Sequence, residues 1–313
     1  MHAQRWFFTT LALIIAVAGA IAATNVSLDI YGIFHDARGR HLAAYGDQRV
    51  SKYLLSKRYV PENFDAILVG SSMSANWNTG KIKALRVYNE SMAAANIVEE
   101  KFLVEQVLSH PSIKVALLIV HPFMTHSHRF ATVELTDRET AGAMGSLQLW
   151  EAYKDVIRYR VQSNRAEYDE FGTDDFPEPK KLNPLLQRMM QPGRDFDVDP
   201  IALGAFKELV TALRQNNVQL VFIVPPIVEK LFLLKPSAFR KYFDQIQTVI
   251  TVDDKLIDFT ADSYQEFRKN PRNFADGIHL EREGADEVVS TIDTHLQQWI
   301  ANGELVIRPS SQQ

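Results

Sequence analysis

The sequence predicts an α/β fold in which helices cover both faces of a parallel sheet, behind one apolar segment at the amino terminus. Short apolar runs alternate along the chain with segments of helical periodicity, and this alternation is typical of such a sheet. The runs are continuously apolar, without the polar–apolar alternation of a strand that has one face in water. We therefore expect three layers, with the sheet in the middle.

The composition is that of an ordinary globular protein with enough chain for one large domain. Of 313 residues, 46% are hydrophobic and 23% are charged, and the formal net charge is −4. No stretch is dominated by lysine and arginine, so a nucleic-acid partner is not expected. Cysteine is absent, which excludes disulfides, thiol nucleophiles and cysteine-ligated zinc.

The apolar segment runs from Trp6 to Ala23 and contains no charged residue. As a helix it would span about 27 Å, close to the ~30 Å hydrocarbon core of a bilayer. The unbroken length favours a retained transmembrane anchor, and the small residues at 20–22 leave a cleaved signal peptide as the alternative. Arg5 precedes the segment and acidic residues follow it, so we expect a cytoplasmic amino terminus and an exported domain.

Changes in hydrophobicity and periodicity along the sequence divide the chain into predicted regions. Residues 1–5 are a predicted cytoplasmic tail, 6–23 the transmembrane anchor or signal segment, 24–60 a stalk or cap, 61–303 the α/β domain and 304–313 a tail. Within the domain, residues from about 122 to 200 contain repeated prolines and interrupt the alternation of predicted strands and helices. They are predicted to be a large insertion, of a kind that often shapes a binding site.

The elements of the domain follow in order. Strands are predicted at residues 64–70, 86–89, 113–120, 218–224 and 256–259. The third, with the sequence IKVALLIV, is the most apolar and is expected at the centre of the sheet. Helices are predicted at residues 94–109, 202–216, 237–251 and 282–300.

A candidate nucleophile follows the first strand. Gly70, Ser71 and Ser72 lie at its carboxyl end, and ligands of open α/β sheets bind outside the carboxyl ends of the strands. A serine at this edge can expose its hydroxyl and direct its backbone N–H at an incoming carbonyl oxygen. A simple polar turn is the alternative interpretation of the same three residues.

A candidate acid–base pair, Asp276 and His279, lies just before the last helix. On a tight turn this spacing lets the carboxylate bond to the imidazole. Such a bond orients the ring and stabilises the imidazolium that forms when it takes a proton from serine. Gly277 supplies the backbone freedom that the turn needs. Alternatively, Asp276 is a loop residue and His279 begins the helix.

Together and in this order, the two clusters resemble the SGNH/GDSL hydrolase superfamily, over about residues 61–303. Its nucleophilic serine follows the first strand, and an Asp-x-x-His near the carboxyl end completes its triad. The resemblance implies Ser72 as the nucleophile, with Ser71 in place of the aspartate of Gly-Asp-Ser, and it implies Asp276 and His279 as the acid and the base. It also implies a flavodoxin-like α/β/α sandwich and requires no metal or organic cofactor.

Within the superfamily, the chain looks similar to membrane-anchored bacterial members that act on cell-envelope polymers. These include the polysaccharide O-acetylation proteins and the D-alanine transfer protein of teichoic acid modification. The likeness is carried by the N-terminal anchor, by Gly-Ser-Ser and by Asp-Gly-x-His-Leu. It implies a polysaccharide or envelope-glycan substrate and a multi-pass membrane partner that supplies the acyl donor. It also implies a single-pass location in the bacterial inner membrane, with the catalytic domain on the periplasmic side.

The chain departs from the superfamily where oxyanion donors are expected. A glycine usually follows the second strand, and here Ala94 or a neighbour must replace it. An asparagine usually follows the third strand, which here ends at His121. A side-chain donor is then missing or comes from Asn96 or Asn76. Losing one donor costs on the order of 100-fold or more in turnover, so a slow enzyme, a transferase or an inactive relative would fit.

Trp77 and His121 are candidate substrate-binding residues. Trp77 lies just past Ser72, where it could stack on a sugar ring or, alternatively, pack the first helix onto the sheet. His121 begins a His-x₄-His-x-His sequence whose spacing matches no metal site, so we expect loop histidines, of which one could line the pocket.

The sequence therefore predicts serine-dependent acyl transfer on an exported polysaccharide, with an O-acetyltransferase as the first choice and an acyl esterase as the second. A non-catalytic glycan-binding scaffold of the same fold is the alternative from another class. The altered oxyanion positions favour the scaffold, and the intact serine, histidine and aspartate favour the enzyme.

Overall fold

The computed structural model of the chain describes residues 2–129, 136, 138–143, 145, 147–161, 168–174, 191 and 195–307. Much of the predicted insertion at about 122–200 lies outside these residues, including the prolines at 177, 179, 184 and 192.

A single five-stranded parallel sheet organises the domain. Its strands are β1 (Ala66–Val69), β2 (Val87–Asn89), β3 (Val115–Ile119), β4 (Gln219–Val224) and β5 (Lys255–Asp258). The spatial order is β2-β1-β3-β4-β5, which is the flavodoxin-like order, and every pair is parallel. The predicted α/β class is confirmed, and each predicted strand lies within a residue or two of its expected bounds.

Thirteen helices lie in the described residues, and those of the domain cover both faces of the sheet. They are α1 (His2–Leu28), α2 (Gln48–Lys57), α3 (Tyr59–Asn63), α4 (Ser72–Ala75), α5 (Ile97–Val107), α6 (Pro122–Thr125), α7 (Arg138–Gly142), α8 (Leu147–Val161), α9 (Pro200–Gln215), α10 (Glu229–Phe232), α11 (Pro236–Gln247), α12 (Gln265–Lys269) and α13 (Arg282–Ala301). Single 3-10 turns lie at Thr79–Lys81, Asp262–Tyr264 and Pro271–Asn273. The four long helices predicted after β2 correspond to α5, α9, α11 and α13.

Two apolar cores, one on each face of the sheet, explain why the strands are continuously apolar. In β1, Ile67 and Val69 belong to one core, while Ala66 and Leu68 belong to the other. Helices α5 and α9 cover the first face, and α13 covers the second. Both faces of each central strand are therefore removed from water, and an alternating strand would bury polar groups at a cost.

Helix α1 stands apart from both cores. From Ala3 to Leu28 it is long and apolar enough to cross a membrane, and its apolar window is not buried against the rest of the chain. Leu13 and Ile15 are each 63% exposed, which is unfavourable in water and expected in lipid. These properties fit the predicted membrane segment, while its orientation and retention stay predictions.

Part of the segment that was expected to be a stalk or cap, residues 24–60, lies inside the domain. Tyr53, Leu54 and Leu55 of α2 are buried in the core between α2 and α5. Asp47 caps the helix by accepting hydrogen bonds from the backbone N–H groups of Arg49 and Val50. Helix α2 is therefore a structural part of the sandwich, and it lies against the loop that follows β2.

Candidate active site

The nucleophile turn is formed by a sharp passage from β1 into α4. A Cβ atom on Gly70 would lie 2.2 Å from Ser74 Oγ and 2.8 Å from Ile119 Cγ1, so only glycine fits there. Ser71 is the residue before the helix and is 3% exposed, whereas Ser72 occupies the first helical position and is half-buried. The turn therefore presents the Ser72 hydroxyl at the carboxyl edge of the sheet.

The acid–base turn lies between α12 and α13 and is closed by Asp276. Its Oδ1 accepts hydrogen bonds from the backbone N–H groups of Ile278 (3.2 Å) and His279 (2.9 Å). Gly277 has a φ of +101°, a conformation that favours glycine. A Cβ there would also lie 2.6 Å from Leu231 Cδ1 of α10, so the turn is closely packed from outside.

The two turns meet in one hydrogen-bonded chain. His279 Nε2 lies 2.9 Å from Ser72 Oγ, and His279 Nδ1 lies 2.7 Å from Asp276 Oδ2. The serine and the histidine are 207 positions apart in the sequence. The imidazole is 14% exposed and the carboxylate 4% exposed, so the aspartate is the more deeply buried end of the pair.

The arrangement matches the roles of a Ser–His–Asp triad, in which the ring nitrogen nearer the serine takes its proton and the carboxylate holds the other nitrogen. Burial by itself raises the pKa of Asp276. The hydrogen bonds and the charge of His279, together with the two backbone N–H groups, outweigh this effect and lower the pKa below its usual 3.8. Asp276 is therefore an anion at neutral pH, with its Oδ2 at 2.7 Å from His279 Nδ1.

The loop after β2 carries Ala94, the residue predicted to supply a backbone donor. Ala94 has a φ of +56°, a conformation that few residues other than glycine adopt, and it is exposed. In the part of the chain that the structure describes, no residue accepts a hydrogen bond from its N–H. Ala94 thus adopts a left-handed conformation, which favours glycine, at the position where it was expected to replace a glycine.

Asn96 does not provide the missing side-chain donor. Its amide Nδ2 donates to the Arg129 carbonyl (2.8 Å), and its Oδ1 accepts from the N–H groups of Val98 and Glu99 at the start of α5. The residue is the N-cap of that helix and forms a capping box with Glu99. The start of α5 therefore occupies the Oδ1, and the Arg129 carbonyl occupies the Nδ2.

Asn76 and Trp77 also serve the fold. The Asn76 amide Nδ2 donates to the Leu280 carbonyl (2.8 Å), which ties the nucleophile turn to the acid–base turn. Trp77 is 1% exposed and packs in the core under α13. Of its two predicted roles, packing is the one that the structure shows, and a buried indole ring offers no face to a sugar.

His121 is buried at the end of β3 and is not open to a substrate. It is 2% exposed, its ring stacks on Phe123 at 4.8 Å, and its Nδ1 accepts the Phe123 N–H (3.2 Å). Burial, with smaller contributions from His279 and His126, lowers its pKa to about 3, so the ring is neutral. The expectation that it lines the pocket is not supported, because the N-cap position of α6 turns the ring inward.

A cluster of buried charges lies beneath the loop that follows β2, and the sequence did not reveal it. Lys52 of α2 is fully buried and donates to the carbonyls of Asn89 (2.8 Å), Ser91 (2.7 Å) and Gly172 (2.9 Å). Glu90 and Glu100 are also buried nearby. The polar residues of α2 have the spacing of a solvated helix face, so only the tertiary contacts identify them as buried.

Replacing Glu100 with glutamine is expected to stabilise the protein at neutral and alkaline pH. Burial raises the pKa of Glu100 well above 4.5, and within the described residues its carboxyl oxygens have no hydrogen-bond partner. Its contribution to stability is complete below the unfolded value of 4.5 and is lost as the pH rises towards the folded pKa. Glutamine mimics the protonated acid, so E100Q should gain on the order of 1 kcal/mol at pH 8 and almost nothing at pH 4.

Urea unfolding of both proteins at several pH values measures this difference. Glu105→Gln is the control, because Glu105 is on the same helix and its side chain is 43% exposed. A wild type whose stability does not fall relative to E100Q between pH 4 and 8 would contradict the prediction.

The fold and the site together define an α/β protein with a hydrogen-bonded Ser–His–Asp chain at the carboxyl edge of its sheet. No protein-family model matches the sequence, and no curated protein matches it.

Among solved structures, the chain is similar to a protein from Streptococcus pneumonia described as a platelet activating factor (9% identity, TM-score 0.44, covering 80% of this chain and 91% of that one). It is also similar to a GDSL-like lipase from Bacteroides thetaiotaomicron (11% identity, TM-score 0.39, covering 74% of this chain and 87% of that one). A third similar structure is described as an acylhydrolase from Bacteroides fragilis (13% identity, TM-score 0.35, covering 74% of this chain and 86% of that one). Likenesses this distant do not assign the chain to a family.

Proposed function

We propose that the chain is a serine-dependent acyltransferase of the SGNH type that moves an acetyl group onto an exported polysaccharide. The observation that carries the proposal is the hydrogen-bonded chain from Ser72 through His279 to Asp276, with distances of 2.9 and 2.7 Å. A glycan-binding scaffold would not need a nucleophile, a base and a buried carboxylate in this geometry.

In the first half of the reaction, Ser72 Oγ attacks the acyl carbonyl while His279 Nε2 takes the hydroxyl proton. Asp276 stabilises the imidazolium that results. The carbonyl oxygen, now an oxyanion, accepts hydrogen bonds from the backbone N–H groups of Ser72 and Ala94. When the tetrahedral intermediate collapses, the leaving group departs with the proton from His279, and the acyl group remains on Ser72.

In the second half, a sugar hydroxyl gives its proton to His279 and attacks the acyl-serine. When the resulting tetrahedral intermediate collapses, His279 passes the proton to Ser72 Oγ, which regenerates the serine and leaves the acyl group on the sugar as a new ester. Water in place of the sugar would make the enzyme an esterase. Transfer to a glycan is supported by the apolar α1, which would hold the domain at a membrane surface where exported polymers pass. A multi-pass membrane protein would deliver the acyl donor to the same surface.

The partition between transfer and hydrolysis tests the proposal. The full chain in detergent is given p-nitrophenyl acetate with and without envelope oligosaccharides, and acetylated sugar is measured by mass spectrometry against free acetate. We expect acetylated sugar from the wild type and none from the Ser72→Ala variant. Acetate alone would favour the esterase, and equal product from both proteins would leave the scaffold.

A further inference from the structure

Helix α2 contacts the loop that carries Ala94, whose N–H is the proposed second oxyanion donor. Lys52 binds the carbonyls of Asn89 and Ser91, and Gln48 Oε1 accepts the N–H of Ala93 at 3.2 Å. These contacts lie on the buried side of the loop, while Ala94 is exposed on the other side. Helix α2 therefore fixes the loop from behind.

The contact of Arg49 with this loop is the most informative. Its Nη2 donates to the Ala93 carbonyl at 2.9 Å, and its Nε donates to Glu99 Oε1 at 2.7 Å. The Arg49 side chain is 5% exposed and that of Glu99 is 1% exposed. The guanidinium is thus held rigidly by a buried carboxylate while it binds one backbone carbonyl.

That carbonyl belongs to the same peptide unit as the Ala94 N–H. In a planar trans peptide the C=O and N–H bonds point in opposite directions. A guanidinium fixed on the Ala93 oxygen therefore directs the Ala94 N–H away from α2, to the exposed side of the loop. A cation on the carbonyl also polarises the peptide, which makes its N–H a stronger donor.

The loop is joined to the nucleophile turn as well. Ser71 and Met92 form a parallel bridge between the two segments, and Ser74 Oγ lies 2.8 Å from Ser91 Oγ. A displacement of the loop would therefore change the position of the Ala94 N–H relative to Ser72. Only Ala93 separates the bridge at Met92 from Ala94, and Arg49 binds the carbonyl of this residue.

We propose that Arg49 is a positioning residue for acyl transfer, which aims and polarises the Ala94 peptide so that its N–H binds the oxyanion. The inference rests on the proposed function, since it concerns the transition state of the same serine. The Arg49 inference differs from the proposed function because the triad could act without Arg49, only more slowly.

The main test is Arg49→Lys, which keeps the cation next to Glu99. It replaces the two separate nitrogens that bind Glu99 (Nε) and the Ala93 carbonyl (Nη2) with a single nitrogen, so the carbonyl contact cannot keep its geometry. With p-nitrophenyl acetate and the full chain in detergent, we expect kcat to fall about 10- to 100-fold while KM stays within about twofold. The double variant Arg49→Met/Glu99→Gln removes both charges, leaves neither buried alone, and should lose at least as much.

Binding of methylboronic acid provides a readout that a merely structural role would not change. Ser72 Oγ forms a bond to boron, His279 takes the serine proton, and the boron becomes a tetrahedral anion with an oxygen in the oxyanion site. The inhibition constant should rise in R49K by the same factor as kcat falls. Wild-type affinity for methylboronic acid in R49K would overturn the inference.

Arg214→Lys is the control for the same substitution away from the site, at a side chain that is 35% exposed. Arg214 Nη2 also donates to a carboxylate, that of Asp254, and to a backbone carbonyl, that of Val249 at 2.9 Å. It lies at the amino-terminal edge of the sheet, opposite the candidate site, and R214K should keep wild-type kcat. Equal losses of kcat in R49K and R214K would overturn the inference. A wild type no more active than Ser72→Ala would instead overturn the proposed function, so the two failures are distinguishable.

Discussion

Replacing Ser72 with alanine is expected to abolish acyl-ester turnover, with kcat falling at least about 1000-fold. Ser72 Oγ lies 2.9 Å from His279 Nε2, so its loss removes both the nucleophile and the hydroxyl proton that the base would accept. Hydrolysis of p-nitrophenyl acetate and labelling by a fluorophosphonate probe, located by peptide mass spectrometry, measure the effect. The fold should be retained, because the hydroxyl is half-buried and contributes little packing.

Ser71→Ala is the comparison that distinguishes the two serines at the end of β1. Ser71 is 3% exposed, and its side chain makes no capping hydrogen bond to α4. We expect this variant to keep most of the turnover and all of the probe labelling at Ser72. Labelling that persists in Ser72→Ala and disappears in Ser71→Ala would show that the wrong serine has been assigned.

Replacing Asp276 with asparagine is expected to lower kcat about 10⁴-fold. The Oδ1 position keeps its hydrogen bonds from the backbone N–H groups of Ile278 and His279, so the turn should remain. The Oδ2 position faces His279 Nδ1 at 2.7 Å, and an amide N–H₂ there makes Nδ1 an acceptor. The ring proton then moves to Nε2, which can no longer take the proton of Ser72.

The control for this variant is Asp199→Asn. Asp199 Oδ2 lies 2.6 Å from His128 Nδ1, so it forms a second Asp–His pair of similar geometry, outside the hydrogen-bonded chain to Ser72. Asparagine serves as well as aspartate at the N-cap of α9, and kcat should stay within a few-fold of the wild type. A loss in D276N no larger than that in D199N would remove Asp276 from the mechanism.

The sequence by itself determined the five strands and the order in which strands and helices follow one another along the chain. Continuous apolar runs are stable only where both faces of a strand are covered, so they located β3 and β4. Together with the alternation of strands and helices, they indicated a parallel sheet. Glycine at 70 and 277 marked the two turns of the site, because each turn needs space or a backbone conformation that other residues lack. Local chemistry is sufficient for such features.

The tertiary structure alone decided which polar groups are buried and what they bind. Asn96 and Trp77 are residue types that often line a binding site. In the structure, however, Asn96 caps α5 and Trp77 fills an apolar core. Arg49 and Lys52 look like a solvated helix face, yet they bind the loop behind Ala94. The same is true of Ser72 and His279: hydrogen bonds between distant segments depend on how the layers pack, and a single sequence records residue types and spacings but not those distances.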